Sequence, residues 1–178
     1  MNKSHKQDKK RIVFIGKRNV GKSSLVNAFL GKEACTVNGC HAEVREALEV
    51  PMELPPYGSV VIVDTIPIAD AHDNKIDALN KNISLLPTAD FVIVVLDARE
   101  KLSQEDKSIF SQLKKLSIPF LVAVNKIEFG INSDLINGLR ANNTTHFEIS
   151  CKENVGVDAL KARITRMLQT EPNPSIKK

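Results

Sequence analysis

One stretch decides the fold of this chain: Gly16-Lys17-Arg18-Asn19-Val20-Gly21-Lys22-Ser23. It has the pattern G-x-x-x-x-G-K-S, which is typical of a phosphate-binding loop. An apolar, β-branched run at Arg11–Ile15 precedes it, and Ser24–Leu30 follows with apolar residues at helical spacing. Glycines let successive backbone N–H groups and the helix N-terminus face an anion. The sequence therefore predicts a strand, a phosphate-binding loop and a helix, in that order.

The pattern also assigns roles within this loop. Lys22 is expected to contact the β- and γ-phosphates of a nucleotide, and the Ser23 hydroxyl is expected to ligate Mg²⁺. The alternative interpretation is a glycine turn before an ordinary amphipathic helix. The candidate phosphate-contacting residues are Gly16, Lys17, Arg18, Asn19, Val20, Gly21, Lys22, Ser23 and Ser24.

Charge is concentrated at the two ends of the chain. The formal net charge of the 178 residues is +4, but Met1–Arg11 holds five basic residues and one acid, and Glu171–Lys178 is also basic. The remainder is nearly neutral, so charge does not indicate a nucleic-acid-binding face. We expect a flexible basic extension at 1–10, one nucleotide-binding domain at 11–170 and a flexible tail at 171–178.

Composition excludes several classes of protein. No apolar run is long enough to span a membrane, and no secretory segment follows Met1, so the cytoplasm is the expected location. Three cysteines do not make a disulfide framework. Cys35, Cys40 and His41 lie close together and could ligate a metal, but their spacing matches no standard site, and the alternative is a set of solvated loop residues.

Strands and helices alternate along the whole chain, which predicts an α/β fold of three layers with a mainly parallel, six-stranded sheet and helices on both faces. Pro51 places one strand at an edge of the sheet. The predicted strands are Arg11–Ile15, Leu48–Leu54, Val60–Val63, Phe91–Leu96, Pro119–Val124 and His146–Ile149, and the predicted helices are Ser24–Leu30, Asp70–Leu86, Ser103–Ser117, Ser133–Arg140 and Val157–Leu168.

Candidate site segments follow the carboxyl ends of four predicted strands. They begin at Gly16, Asp64, Asn125 and Ser150. Ligands of parallel α/β sheets bind at this edge, so the four segments are expected to form a single nucleotide site.

The stretch Asn125-Lys126-x-Glu128 indicates which base is bound. Guanine presents N1–H and N2–H₂ side by side, and the Glu128 carboxylate could accept from both, while adenine has no such pair of donors. Asn125 would face the acceptor edge of the base, and the aliphatic stem of Lys126 would lie over the ring. Ser150-Cys151-Lys152 would place backbone N–H groups near the guanine oxygen. The alternative is a charged strand-to-helix turn.

Together these motifs resemble the small GTPases related to translation factors, in the group that contains Era and the tRNA-modification GTPases. Gly16–Gly31 and Met52–Thr65 are also similar to the GTPase domain of the iron-only hydrogenase maturation GTPases. The resemblance implies a P-loop NTPase with a Ras-like G domain and Mg²⁺-dependent GTP hydrolysis, in which Asp64 holds a magnesium-bound water. It also implies K⁺ at Asn19, a metallocofactor assembly protein as partner, and a homodimer that pairs through the nucleotide face.

Both switch regions depart from the pattern of this family. The second switch of the family has the sequence D-T-P-G, and here it is Asp64-Thr65-Ile66-Pro67. Proline has no N–H to offer the γ-phosphate. The threonine run of the first switch is replaced by Glu43–Glu46, and Thr36 lies several residues early. We therefore expect GTP and GDP binding with weak hydrolysis; the alternatives are a non-hydrolysing adaptor and an Era-like GTPase that associates with RNA or the ribosome.

Overall fold

The sheet organises the domain. A computed structural model describes residues 9–31, 47–68 and 72–170, apart from the side chains of 72–78. It contains six strands in the order β2-β3-β1-β4-β5-β6, and only β2 runs antiparallel to its neighbour. The strands are β1 (Lys10–Gly16), β2 (Leu48–Leu54), β3 (Gly58–Asp64), β4 (Phe91–Asp97), β5 (Phe120–Asn125) and β6 (His146–Glu148). The predicted fold class and number of strands are confirmed.

In the described part of the chain, five α-helices cover the sheet on both faces. They are α1 (Lys22–Leu30), α2 (His72–Leu85), α3 (Gln104–Lys115), α4 (Ser133–Ala141) and α5 (Val157–Thr170). Because side chains alternate along a strand, Ile12 and Phe14 of β1 pack with α1 and α5, while Val13 and Ile15 pack with the opposite core, which includes residues of α2, α3 and α4. Strands buried on both faces explain the continuous apolar runs of the sequence.

Local signals set most boundaries of the elements. Ser103 and Asp106 form both hydrogen bonds of a capping box at the start of α3, and Gly31 ends α1 in the left-handed conformation, with a φ of 66°. The edge position of β2 is also confirmed.

The prediction was wrong about the start of α1, which begins at Lys22 rather than Ser24. The first turn of this helix is polar, so the spacing of apolar residues could not detect it. Two short 3-10 helices, Leu86–Thr88 and Ile127–Phe129, were not predicted either.

Some expectations fall on other parts of the chain. The terminal segments 1–8 and 171–178 and the first-switch residues 32–46 lie outside the described residues, as do Cys35, Cys40 and His41. Among the described residues, no helix is both long and apolar enough to cross a membrane.

The aromatic pair Phe14–Phe29 gives a test of the core. The rings meet edge to face with centroids 5.2 Å apart, and both side chains are fully buried. We expect Phe29→Ala to lower the free energy of unfolding by about 3–5 kcal/mol, because a cavity remains where the ring packed. Phe129→Ala makes the same chemical change at a ring that is 57% exposed, and its cost should stay below about 1 kcal/mol. Urea denaturation of both variants measures the difference; equal costs would contradict this packing.

Candidate functional site

The phosphate-binding loop joins the end of β1 to the start of α1 by an unusual backbone path. Asn19 and Gly21 have φ angles of 62° and 91°, in the left-handed region. A Cβ atom at Gly21 would collide with the side-chain amide of Asn125, and one at Gly16 would lie 2.6 Å from the Val95 carbonyl oxygen. Both glycines of the motif are therefore required by the close approach of neighbouring elements as well as by the loop itself.

Lys22, Ser23 and Asp64 are brought together as the sequence predicted. The Lys22 side chain is 4% exposed, and its ammonium group donates to Asp64 Oδ1 and, at 2.5 Å, to the carbonyl oxygen of Thr65. The Ser23 hydroxyl donates to Asp64 Oδ2 at 2.8 Å. A buried ammonium group needs anionic or carbonyl partners, and the end of β3 supplies both.

The donor set fits Mg²⁺. A serine hydroxyl and a carboxylate are hard oxygen ligands of the kind that Mg²⁺ binds together with waters and phosphates, and Ser23 and Asp64 place them side by side. Asn19, the expected K⁺ ligand, is an exposed residue of the loop. No cluster of three or more His, Cys, Asp and Glu side chains that could hold a metal occurs in residues 9–31, 47–68 and 72–170.

The segment after Asp64 is held against the phosphate loop. The Arg18 N–H donates to the Ile68 carbonyl oxygen at 2.9 Å, and the Ile68 N–H donates to the Gly16 carbonyl oxygen at 3.3 Å. The Ile68 side chain is fully buried, and Asn82 Nδ2 of α2 donates to the Ile66 carbonyl oxygen at 2.8 Å. The sequence interpretation missed this anchoring, because backbone pairing of a non-strand segment leaves no periodic pattern.

Asn125 connects three loops of the site. Its buried side chain donates through Nδ2 to the Val20 carbonyl oxygen at 2.9 Å, and its Oδ1 accepts from the Cys151 N–H at 3.0 Å. The Cys151 N–H, which was expected near the guanine oxygen, is therefore used within the protein. Lys126 donates to the carbonyl oxygen of Asn19. The structure thus gives the motif a bracing role that the sequence interpretation did not include.

Glu128 lies beside these loops as an ionised acceptor. A hydrogen bond from Ser150, opposed by burial, holds the pKa of Glu128 below its ordinary value. Its Oε2 atom is buried and accepts no hydrogen bond from any side chain or backbone group that the structure describes. A charged carboxylate with an unsatisfied oxygen needs donors, and the paired N–H groups of a guanine base would supply them once nucleotide binding uncovers this atom.

The remaining residues of the Ser150–Lys152 segment have different surroundings. Ser150 is fully buried, and its hydroxyl accepts from the Glu153 N–H at 3.0 Å. Burial, and then the charge of Glu128, raises the pKa of the Cys151 thiol to about 12, so the thiol stays protonated and unreactive at neutral pH. The Lys152 ammonium group lies 5.5 Å from the centroid of the Phe129 ring.

A second group of charged residues, at the end of β4, was not assigned to the site by the sequence. Lys17 of the phosphate loop pairs with Glu100 at 2.6 Å, and Asp97 pairs with both Arg99 at 2.7 Å and Lys126 at 2.9 Å. The ion pair of Arg99 with Asp97 is only partly a surface contact, because the Asp97 side chain is 3% exposed. The signal in the sequence that could have placed this group at the site is Asp97, an acidic residue at the end of the buried strand β4, which pairs with β5.

Two curated relatives illustrate what the chain is similar to. The tRNA modification GTPase MnmE of Clostridioides difficile is 32% identical over 160 residues, which are 89% of this chain and 34% of the relative. The GTPase Der of Buchnera aphidicola is 32% identical over 178 residues, covering 94% of this chain and 37% of the relative. The chain thus spans about a third of the length of these relatives.

Solved structures share the fold. The GTPase Era of Aquifex aeolicus, bound to GDP·AlF4−, superposes with a TM-score of 0.73 and 24% identity over 91% of this chain and 56% of that one. A GTP-binding protein described as a probable EngB gives a TM-score of 0.71 with 21% identity over 90% of this chain and 100% of that one. These likenesses support the predicted P-loop GTPase fold.

The family follows from the sequence itself. Residues 11–126, about two thirds of the chain, match the sequence profile of a family described as 50S ribosome-binding GTPase. The matched region contains the phosphate loop, Asp64, Asn125 and Lys126, whose contacts form the site described above. With MnmE, Der and Era among its relatives and structural neighbours, the chain belongs to the 50S ribosome-binding GTPase family of GTP-binding proteins.

Proposed function

We propose that this domain binds guanine nucleotides between the phosphate loop and Asn125–Glu128, and that it hydrolyses GTP slowly with the help of Mg²⁺. The observation that carries the assignment of the base is Glu128, whose enclosed Oε2 atom has no donor among the described residues. An ionised carboxylate selects guanine, because two adjacent N–H donors of this base can bind its two oxygens.

Several residues of the chain would each have a separate role in hydrolysis. Lys22 would transfer its hydrogen bonds from Asp64 and Thr65 to the phosphate oxygens, and loop N–H groups would hold the β-phosphate. Ser23 would ligate Mg²⁺, and Asp64 would hold one of its waters. When bound, Mg²⁺ neutralises charge on the β- and γ-phosphates. The resemblance to potassium-dependent relatives supports K⁺ at Asn19 as a further source of positive charge.

Two features support slow hydrolysis. Pro67 offers no N–H to a γ-phosphate, where the family pattern has glycine. The neighbouring backbone is restrained as well, since Ile66 and Ile68 accept hydrogen bonds from Asn82 and Arg18. A segment anchored in this way responds less to the γ-phosphate than a free switch would, which is also the basis of the alternative function, a non-hydrolysing GTP- or GDP-binding adaptor.

The biological role is a further proposal. The similarity of Gly16–Gly31 and Met52–Thr65 to hydrogenase maturation GTPases supports a role in metallocofactor assembly, with an assembly protein as partner, a cytoplasmic location and a homodimer through the nucleotide face. The Era-like alternative has support of another kind, because one structure of similar fold is Era with MgGDPNP and a segment of 16S ribosomal RNA. Binding of a ribosomal RNA fragment would favour the Era-like role over the metallocofactor role.

Replacing Glu128 tests the base assignment. Glu128→Gln exchanges an acceptor for a donor, so GDP affinity should fall about 100-fold through the loss of two charge-assisted hydrogen bonds. Xanthosine diphosphate, which has a carbonyl oxygen at C2, should bind more tightly than to the parent protein. Calorimetry measures both affinities, and Glu153→Gln is the control because Glu153 is an exposed neighbour. Unchanged affinities for both nucleotides in Glu128→Gln would refute the assignment.

Release of inorganic phosphate tests hydrolysis. We expect slow, steady release from GTP that requires Mg²⁺, increases when Na⁺ is replaced by K⁺, and disappears in Lys22→Ala, because that variant lacks the ammonium group that meets the β- and γ-phosphates. Lys161→Ala serves as a control for loss of one lysine, because the ammonium group of this α5 residue donates to the Phe29 carbonyl oxygen, near the end of α1 that is far from Lys22. If release from the parent protein never exceeds that of Lys22→Ala, with or without K⁺, the adaptor is the better description.

Pro67→Gly tests the altered second switch. The new N–H can donate to the γ-phosphate, and this charge-assisted bond outweighs the roughly 0.5–1 kcal/mol that the freedom of glycine costs. GTP should therefore bind about tenfold more tightly, with GDP affinity nearly unchanged. Pro87→Gly makes the same change at an exposed proline of the 3-10 helix and should alter neither affinity. Equal shifts for GTP and GDP in Pro67→Gly would mean that residue 67 does not face the γ-phosphate.

A further inference from the structure

Asp97 is a buried acid that neither the motifs nor the proposed function uses. It ends β4, and its strand register places it directly opposite Asn125 on β5. Only 3% of its side chain is exposed, so its charge requires partners close by. Asn125, which faces Asp97 across the two strands, immediately precedes Lys126, the residue proposed to lie over the base.

Two cations share the Asp97 carboxylate, and they differ in their surroundings. Arg99 binds it from the solvent side through Nε at 2.9 Å and Nη2 at 2.7 Å, and half of the Arg99 side chain is exposed. Lys126 binds Oδ2 at 2.9 Å and is largely covered. Burial disfavours the charged form of Asp97, but the hydrogen bonds from Arg99 and Lys126 together outweigh it and hold the pKa of Asp97 below its ordinary value, so the carboxylate is charged across the neutral range.

The Lys126 ammonium group spans the gap between two loops of the site. It contacts Asp97 on one side and donates to the Asn19 carbonyl oxygen of the phosphate loop on the other. A lysine stem is flexible and loses side-chain entropy when it is ordered. The Asp97 carboxylate and the Asn19 carbonyl oxygen together fix the position of the ammonium group. The stem that leads to it therefore has one favoured path across the site.

We infer that Asp97 is a positioning residue of the guanine site, because its carboxylate holds the Lys126 ammonium group against the phosphate loop and thereby fixes the Lys126 stem where the base stacks. The inference rests on the proposed assignment of Lys126 to the base. Arg99 is not required for this role, since it binds the same carboxylate from the exposed side and contacts neither loop lysine. Arg99 and Lys126 bind the same carboxylate, so removing the Arg99 ion pair is a matched control for removing the Lys126 ion pair.

A double-mutant cycle tests the inference. GDP affinity is measured by calorimetry for the parent protein, Asp97→Asn, Lys126→Met and the double variant. Methionine keeps the length of the stem and removes the ammonium group. We expect Asp97→Asn to weaken GDP binding about tenfold in the parent background and less than about twofold in the Lys126→Met background. Arg99→Gln should change the affinity less than about twofold.

A spectroscopic measurement keeps the test independent of the folding of Asp97→Asn. With ¹⁵N-lysine labelling, the Lys126 ammonium group should give a slowly exchanging ¹H–¹⁵N signal in the GDP-bound parent protein, identified by its loss in Lys126→Met. The signal should persist in Arg99→Gln and be lost or shifted in Asp97→Asn. A general loss of structure would change many signals instead of this one.

Each other outcome overturns the inference. If Asp97→Asn leaves GDP affinity unchanged, or weakens it equally in both backgrounds, Asp97 does not act through Lys126. Absence of the Lys126 signal in the parent protein has the same meaning. If Lys126→Met leaves GDP affinity unchanged, the ammonium group plays no part in positioning the stem, and the role of Asp97 fails. If the parent protein binds no GDP at all, the proposed function itself fails.

Discussion

The site depends on one buried amide, that of Asn125. Its Nδ2 donates to the Val20 carbonyl oxygen of the phosphate loop, and its Oδ1 accepts from the Cys151 N–H. A buried side-chain amide with both ends satisfied fixes the distance between the loops that it joins. The requirement for glycine at position 21 follows from the same contact, because a side chain there would collide with this amide. The phosphate and base motifs, which are far apart in the sequence, are therefore joined directly in the structure by the side chain of Asn125.

The two ends of the site differ in how firmly they are built. At the base end, Asn125 and Lys126 connect three loops to each other, and Glu128 keeps an acceptor without a described donor. At the end where a γ-phosphate would lie, the segment after Asp64 is paired with the phosphate loop through Arg18 and Ile68. Because these hydrogen bonds already hold the segment after Asp64 in one position, a third phosphate can change its conformation only by breaking them. This asymmetry supports the proposed function, in which recognition of the base is strong and discrimination between GTP and GDP is weak.

How far the sequence predicts this molecule depends on the range of the interaction. Strand positions, the capping box at Ser103 and the end of α1 at Gly31 follow from local patterns, and the structure confirms them. The meeting of Lys22 with Asp64 could also be predicted, because parallel strands bring their carboxyl ends to one edge of the sheet. The contact of Asp97 with Lys126 and the anchoring of Ile66 by Asn82 could not. Both depend on side-chain directions and on contacts between distant segments, for which the spacing of residue types carries no signal.

The pairing of Lys22 with Asp64 adds a constraint on how the site can work. The ammonium group is almost fully buried, and leaving it without an anion would cost more than a surface ion pair gains. A phosphate that binds Lys22 competes with Asp64 for the same group, and Ser23 is tied to the same carboxylate. Phosphate binding would therefore free Asp64 from Lys22 at the moment when Asp64 and Ser23 are needed by a divalent cation. The three residues form a coupled set, so that nucleotide and cation should bind with positive cooperativity.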